Sequence, residues 1–381
     1  MKYFSFRSAI SFALILCATQ TLALEHVVIE RKGRRQEVSG ELVVSAADGG
    51  RLLRAADGVL WTIQPEEMVD QKFDDTPYVP LKRDEMISAL RAELPGFEIH
   101  TTTHYIIAYN TTKAYAQWYG GLHERLYGGF YNYWKRRGAE LTDPDAQLVA
   151  VVFSDQADYA EYSQDELGMA AESIVGYYSL RTNRVVTYDL TGSQKIRTAG
   201  PRPKGKQRIN QLLTQPSAAP TVATIVHEAT HQLAYNSGLQ IRYADNPLWL
   251  SEGLAMYFET PDLKSNRGWR GIGVINGNRL SQLRQYAPNR PPTSLRDLIA
   301  TDDRTRDGET ALDAYAESWA LCHFLLKRYP KKFVAYLAEI AEKKPLVYDT
   351  PQQRLLTFQK HFGSATGVDI EFKRYITKLR I

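Results

Sequence analysis

A pair of histidines four residues apart, with a glutamate beside the first, stands in the segment TIVHEATHQL. A helix places residues four positions apart on one face, so His227 and His231 can direct two imidazoles at one metal ion. Glu228 lies one position round from His227, which suits it poorly as a third ligand on that helix. It can instead reach a water molecule bound to the metal. Zinc lowers the pKa of such a water toward about 7. The segment therefore predicts two zinc ligands and an adjoining general base.

The residues around this segment are those of a partly buried helix. Pro220 and Thr221 stand where a helix can begin, and the run from Asn236 to Gly238 supplies a stop signal. No proline lies inside the span, and its apolar residues are Val222, Ile225, Val226, Ala229 and Leu233. We therefore expect both histidines on one continuous helix.

A catalytic zinc site takes three protein ligands and leaves a fourth position for water. The third candidate is Glu252 in NPLWLSEGLAMYFE, where Asn246 as cap and Pro247 at the first helical position predict a new helix. Glu252 is a lone carboxylate in an apolar segment. A buried charge needs a partner, and this favours a metal ligand over a residue on the solvent-exposed face of the helix. Gly253 would let another backbone approach. Glu259, two turns farther on, either orients a ligating histidine or is a surface residue.

His-Glu-x-x-His followed by Trp-Leu-x-Glu-Gly-x-Ala-x-Tyr resembles the gluzincin-type zinc metallopeptidases, and most closely the peptidase MA-like domains of exported bacterial proteins. The resemblance is strongest from Thr221 to Glu259 and weaker from about His104 to Tyr336. It implies that His227, His231 and Glu252 are the ligands of one zinc ion. It also implies that Glu228 is the base and proton shuttle.

The resemblance further implies how a substrate is held. In the family, the edge strand of a sheet binds extended substrate backbone; SIVGYYSL is the candidate here, with Gly176 allowing close approach. The segment AYAESWALCHFLLKRY resembles the helix that carries an oxyanion-stabilising tyrosine, matched best by Tyr315. An ordinary core tyrosine is the alternative. His323, two turns on, could share that face, although a core histidine is the commoner case.

The chain departs from the family in two places. The Gly-x-Met-Glu-Asn signature, with which aminopeptidase relatives bind a free substrate amine, is absent, and this favours an endopeptidase. Met256 stands where thermolysin-type enzymes have an aspartate, four residues after the ligand glutamate.

The N-terminus has the pattern of a cleavable secretory signal over residues 1–23. Basic Lys2 and Arg7 precede an apolar run from Ala9 to Ala18, and small residues flank Leu22. The run is too short for a membrane anchor, and bulky Leu16 disfavours lipidation of Cys17. The other cysteine, Cys322, lies in an apolar stretch typical of an inert buried thiol. No later apolar run reaches spanning length, so we expect a secreted or periplasmic protein without an integral membrane segment.

Residues 25–79 are predicted to form a small all-β module. Four short β-rich runs, HVVIER, GELVVSA, RLLRA and VLWTI, alternate with the turn sequences RKGRR, DGG and DG. A compact barrel and an adaptor that packs on the next domain fit this pattern equally well, and the partner of the module is unknown. The segment LKRDE then begins either a linker or a helix.

Residues 80–381 are predicted to form a zincin-like peptidase domain with the order β-α-β-α-β-β, then helices. HYIIAYN and QLVAVVFS are strand candidates, and SIVGYYSL with RVVTYDL forms a hairpin. A helix capped by Asn110 or Thr111 carries an aromatic stripe typical of a core, and a second begins at Asp155. Residues 193–220 are predicted to be a long basic loop. The fold class is therefore α+β: a mixed sheet, an active-site helix and a helical C-terminal part, preceded by the β module.

The net charge of +4 is small for 381 residues and gives no reason to expect a nucleic-acid partner. The sequence favours an exported zinc metallopeptidase that hydrolyses protein or peptide substrates. Two alternatives remain open. One is a non-catalytic, envelope-associated binding protein on a zincin scaffold, and the other is a zinc amidase acting on a cell-wall amide.

Overall fold

The computed structural model describes residues 23–192, 205–260, 262 and 269–380. The predicted signal peptide, apart from its last residue, and positions 193–204 of the predicted basic loop lie outside these residues. The chain divides into two compact units. The first contains the described residues up to Ala56 together with Trp61–Val79, and the second contains Asp57–Leu60 and the chain from Pro80 onward.

The N-terminal sheet has five strands in the order β4-β3-β2-β1-β5. Their bounds are β1 Ala23–Arg31, β2 Arg34–Ser45, β3 Arg51–Ala55, β4 Leu60–Ile63 and β5 Met68–Pro77. The turn between β1 and β2 places Lys32 and Gly33 at positive φ, as a tight hairpin requires. A small apolar core holds the sheet together: Val27, Ile29, Val38, Leu53 and Ile63. The all-β character predicted for this region is confirmed.

Strand β5 has no counterpart among the predicted strands. Its sequence, MVDQKFDDTP, lacks the alternation of apolar and polar side chains that marks a half-buried strand. In agreement with that, none of its residues is buried. It is a strand because its backbone pairs with β1 in antiparallel register.

The second sheet is mixed, with the order β6-β7-β8-β10-β9. Its strands are β6 Glu98–Thr101, β7 Tyr105–Tyr109, β8 Leu148–Phe153, β9 Gly176–Tyr178 and β10 Arg184–Tyr188. The three central strands, β7, β8 and β10, run parallel and are buried on both faces, which explains the continuous apolar sequences of β7 and β8. Strand β10 also buries two polar residues, Arg184 and Thr187. Strand β9 pairs antiparallel with β10 and forms one edge of the sheet. The mixed sheet and its hairpin agree with the sequence prediction, whereas β6 is additional.

Three helices precede the candidate site: α1 Arg83–Glu93, α2 Lys113–Lys135 and α3 Gln156–Leu167. The cap of α2 is Thr112, whose hydroxyl accepts a hydrogen bond from the Tyr115 amide, so the predicted cap at Asn110 or Thr111 is wrong by one or two residues. The Asn110 side chain is occupied elsewhere, because it accepts a bond from the Ser154 amide. Most of the aromatic residues of α2 are buried, as expected for a core stripe.

The C-terminal part is helical and carries the candidate site. Its helices are α4 Lys206–Leu213, α5 Ala219–Asn236, α6 Leu248–Phe258, α7 Gly277–Tyr286, α8 Ser294–Ala300, α9 Asp303–Arg306, α10 Ala311–Arg328, α11 Pro330–Ala341, α12 Pro351–Phe362 and α13 Ala365–Ile376. The prediction of a continuous loop over 193–220 is therefore wrong at α4. Ile209 and Leu213 are buried there, and α4 packs on α2. None of the described helices is long and apolar enough to cross a membrane.

Candidate metal centre

Helix α5 presents His227 and His231 on one face, four residues apart. Pro220 lies in its first turn, and Gly238 follows its end at a φ of +78°, close to the start and stop expected from the sequence. The opposite side of α5 is buried, and the helix packs on α2, α6 and the sheet. The Nε2 atoms of the two histidines lie 3.1 Å apart. The helix therefore directs both imidazoles at one point.

Helix α6 brings Glu252 to the same point. One carboxylate oxygen lies 3.1 Å from His227 Nε2 and the other lies 3.6 Å from His231 Nε2. The Glu252 side chain is 16% exposed, and every other residue from Trp249 to Phe258 is buried. This carboxylate therefore does not lie on a solvent-exposed face of the helix. The two nearby imidazoles outweigh the effect of burial and hold the pKa of Glu252 far below its usual range.

The start of α6 differs from the sequence prediction. Pro247, and not Asn246, is the residue at the cap position. The side-chain amide of Asn246 donates hydrogen bonds to the carbonyl oxygens of Ile241 and Ala244, and so it stabilises the preceding turn. The free amide of Leu248 is instead satisfied by the carboxylate of Asp302, 54 residues away. A local sequence pattern cannot reveal a cap supplied from so far along the chain.

Gly253 allows α10 to pack closely on α6. A Cβ atom at this position would clash with the Cys322 thiol and would come within 2.6 Å of the Ser318 carbonyl oxygen. The close backbone approach expected at this glycine is therefore present. The contact therefore fixes the position of the α6 backbone next to Glu252.

The spacing of the three groups fits a tetrahedral metal ion. Zinc bonds of about 2.0–2.2 Å to nitrogen and oxygen place neighbouring ligand atoms about 3.3–3.5 Å apart. One ligand atom from each of His227, His231 and Glu252 lies within 4.8 Å of the others, and the closest pairs lie at 3.1 Å. Across the described ranges, this is the one group of three such side chains with metal-ligand spacing. Two imidazoles and a carboxylate also form a donor set typical of catalytic zinc.

Glu259 contacts the far side of His227. Its Oε2 atom lies 2.9 Å from His227 Nδ1, and its Oε1 atom accepts a hydrogen bond of 2.6 Å from the side-chain amide of Asn276. The side chain is buried, so the surface alternative left open by the sequence is excluded. A proton on Nδ1 shared with Glu259 leaves the Nε2 lone pair of His227 free to bind a metal. Burial raises the pKa of Glu259, but the bond to His227 more than offsets that effect and lowers it.

Glu228 lies beside the cluster and contacts the edge strand. Its Oε2 atom accepts a hydrogen bond of 2.8 Å from the backbone amide of Tyr178 in β9. Burial raises the pKa of Glu228 in spite of the two neighbouring histidines. The bond to Tyr178 holds this carboxylate beside the group of three candidate ligands, to which Glu228 does not belong.

These side chains line a cleft of about 490 Å³. Its polar wall contains His227, Glu228, His231, Glu252 and Glu259, and its other lining residues include Tyr178, Tyr235, Arg279, Leu312 and Tyr315. The rings of Tyr178 and Tyr235 stack at 5.5 Å, and Leu312 is 63% exposed. The cleft thus combines a wall that carries the candidate metal ligands with exposed apolar surface.

Tyr315 and His323 have different environments, although both lie on α10. Tyr315 lines the cleft, and burial together with the charge of Glu252 raises the pKa of its hydroxyl. His323 is buried away from the cleft lining, where its ring nitrogens contact the Gly273 carbonyl and the Tyr375 hydroxyl. The core interpretation therefore holds for His323.

Gly176 is explained by the sheet itself. A Cβ atom there would lie 2.8 Å from the Val186 carbonyl oxygen of β10. The glycine is needed for strand pairing, so the expectation that it opens space for a substrate has no support in this geometry.

Two contributors to the cleft could not be predicted from the sequence. One is the Tyr178 amide, because backbone groups carry no residue-type signal. The other is Arg279, which stands in GNRL at the start of α7 and belongs to no recognised motif. The neighbouring Asn276 caps this helix, because its side-chain oxygen accepts a bond from the Arg279 backbone amide.

Residues 221–347 match a protein-family model described as "Protein of unknown function (DUF1570)". The matched segment begins inside α5 and includes every candidate metal-site residue, together with Arg279 and Tyr315. It covers about a third of the chain. No curated protein matches the chain.

Proposed function

We propose that this protein is a zinc-dependent peptidase. The observation that carries the proposal is the convergence of His227, His231 and Glu252 beside a fourth group, Glu228, that is held by an edge strand. When bound, a zinc ion in such a donor set supplies a Lewis acid that polarises a carbonyl group and lowers the pKa of water.

Glu228 is the general base and proton shuttle in this proposal. It would take a proton from the attacking water and deliver it to the amine that leaves when the peptide bond breaks. The bond from the Tyr178 amide supports this role, because it fixes the carboxylate at the cleft wall next to the three ligand candidates.

Glu259 and Tyr315 would support the same reaction. Glu259 orients the His227 ring and keeps its Nε2 atom available for the metal. Tyr315 faces the cleft, and no group in the described ranges is hydrogen-bonded to its hydroxyl. That hydroxyl is therefore free to donate to the oxygen that becomes negatively charged when the carbonyl is attacked.

An extended peptide backbone is the substrate that best fits the edge of the sheet. Strand β9 pairs with β10 on one side only, and the Tyr178 amide on its other side points to Glu228. A peptide lying along that side would pair with the backbone groups of β9 that Glu228 does not occupy, and would pass the wall that carries the candidate metal ligands. Because an added strand needs no free terminus, this geometry supports endopeptidase action on unfolded protein.

Export would place this activity outside the cytoplasm, in the periplasm or the medium. The predicted signal sequence over residues 1–23 supports this part of the proposal. Mass spectrometry of the protein recovered from its native host would detect a mature chain that begins after Ala23. An intact Met1 terminus on the exported fraction would contradict it.

Zinc content and hydrolysis of an unstructured protein test the main proposal together. Purified wild type should contain about one zinc per chain and cleave casein-like substrates. Glu228→Gln should retain zinc and lose about 10²–10⁴-fold in rate. Glu309→Gln removes an exposed carboxylate from the same part of the chain and serves as the matched control.

Three results would separate the alternatives. A metal-free wild type, or a Glu228→Gln variant as active as the wild type, would contradict the proposal. Bound zinc without hydrolysis of any protein would favour the binding-protein alternative. Release of fragments from cell-wall material, with no cleavage of unfolded protein, would favour the amidase.

A further inference from the structure

Arg279 is the one arginine or lysine among the described residues that line the metal-site cleft. Its side chain is 28% exposed, and the guanidinium carbon lies 5.8 Å from the centre of the Tyr315 ring. Arg279 therefore lies on the same wall as the candidate oxyanion donor, within the space that a substrate would occupy.

The contacts of Arg279 leave most of its donors free. Its Nε atom lies 3.4 Å from Glu259 Oε1, which is long for a charge-assisted hydrogen bond. The same oxygen already accepts a bond of 2.6 Å from Asn276, and the other oxygen of Glu259 contacts His227. Glu259 is therefore satisfied without Arg279.

Other arginines of the helical part are bound more fully. Arg354 makes four bonds of 2.5–3.2 Å to Asp245 and Asp302, and Arg290 contacts Glu317 and Asp369 at 2.5–2.7 Å. For Arg279, the described residues provide no partner for either terminal nitrogen. The guanidiniums of Arg354 and Arg290 each bind two carboxylates, whereas Arg279 makes one long contact with a single carboxylate.

The remaining ionisable groups of the cleft include three carboxylates, on Glu228, Glu252 and Glu259. Away from the metal, these carboxylates would repel a negatively charged group of the substrate. The planar guanidinium of Arg279 is the group in the cleft that suits a negatively charged part of the substrate, since a guanidinium binds a carboxylate through two parallel hydrogen bonds.

We propose that Arg279 is a specificity-determining residue that binds a carboxylate of the substrate, either an acidic side chain near the scissile bond or the C-terminal carboxylate. This inference rests on the proposed peptidase function and assigns it a substrate class. The protein would prefer peptides that carry this negative charge at one fixed distance from the cleaved bond.

The test uses the zinc-loaded full chain and matched peptides. One series moves a single Glu or Gln through the positions around the cleavage site, and a second compares free-acid and amide C-termini. Wild type should favour one acidic peptide by about tenfold or more in kcat/KM, as expected for a hydrogen bond between charged groups. Arg279→Gln should abolish that preference and Arg279→Lys should retain part of it.

Arg284→Gln is the matched control, because Arg284 lies on the same helix, is exposed and does not line the cleft. It should retain the preference in full. Binding of the same fluorescently labelled peptides to Glu228→Gln, and to the double variant with Arg279→Gln, provides a second readout. The acidic peptide should bind about tenfold more weakly to the double variant, whereas the Gln peptide should bind both equally.

The two peptide series identify the source of the carboxylate. A preference confined to the Glu series assigns an acidic side chain, and one confined to the free-acid series assigns the C-terminus. The inference is overturned if wild type has no charge preference, if the preference survives Arg279→Gln, or if this variant slows all peptides equally. Hydrolysis without charge preference would leave the proposed function intact, whereas failure to cleave any peptide would remove both.

Discussion

Glu259 Oε2 lies 2.9 Å from Nδ1 of His227, a residue 32 positions earlier in the chain, and so links the end of α6 to the middle of α5. The same pair of helices carries His231 and Glu252. The ring that would bind a metal through one nitrogen is thus held by a buried carboxylate through the other.

Replacing Glu259 by glutamine should weaken zinc binding by about 10–100-fold, because the neutral amide holds the His227 ring less firmly and no longer increases its basicity. Competition with a chromophoric chelator would measure the affinity. Glu309→Gln, in an exposed loop, should bind zinc as the wild type does. An unchanged affinity for Glu259→Gln would show that this contact does not support the metal.

Removing the hydroxyl of Tyr315 should slow turnover and leave metal binding unchanged. Tyr315→Phe is expected to lower kcat by about 10²–10³-fold with little effect on KM, since the lost bond would form only as charge develops on the oxygen. Steady-state kinetics with zinc analysis of the same sample would check this. Tyr348→Phe, at an exposed position outside the cleft lining, is the control. A rise in KM at unchanged kcat would assign Tyr315 to substrate binding instead.

Chelation should destabilise the wild-type fold but not a variant without the third ligand. A ligand that binds only the folded state at about a thousand times its Kd stabilises that state by about 4 kcal/mol. We expect chelator to lower the melting temperature of the wild type. Glu252→Ala should melt at the same temperature with and without chelator. If the two proteins respond alike, the metal is not held by Glu252.

Two buried histidines should make the fold sensitive to acid. Burial lowers the pKa of His123 and of His323 to about 4, compared with 6.5 for an ordinary histidine. Above pH 6.5 each is neutral in both states, so neither changes stability. Between pH 6.5 and 4 only the unfolded chain takes up the proton, and stability is lost as the pH falls. Each histidine contributes a loss of up to about 3 kcal/mol across this window.

Urea unfolding at several pH values would measure that loss. His123→Phe should remove up to about 3 kcal/mol of the decrease between pH 6.5 and 4, because phenylalanine takes up no proton in either state. The difference between variant and wild type isolates this residue from the other titrating groups. Parallel curves for the two proteins would mean that the pKa of His123 is the same in the folded and unfolded states.

Much of the site could be predicted from local sequence because its main features repeat at helical spacing. His227 and His231 share a face of α5 for that reason alone, and Glu252 stood out as a single charge in an apolar helix. The central strands β7 and β8 were equally clear, since continuous apolar runs mark strands buried on both faces, and β10 was predicted as one arm of a hairpin.

Contacts between distant parts of the chain were decided only by the tertiary structure. The Glu259 bond to His227, the Tyr178 amide on Glu228 and the place of Arg279 in the cleft depend on how α5, α6, α7 and β9 pack. Strand β5 and the start of α6 are further cases, because the groups that bind their backbone amides and carbonyls lie tens of residues away. Spacing along the chain determines which side chains share a face of a helix or strand. Which faces then meet depends on the burial of the whole core, and no local pattern records that.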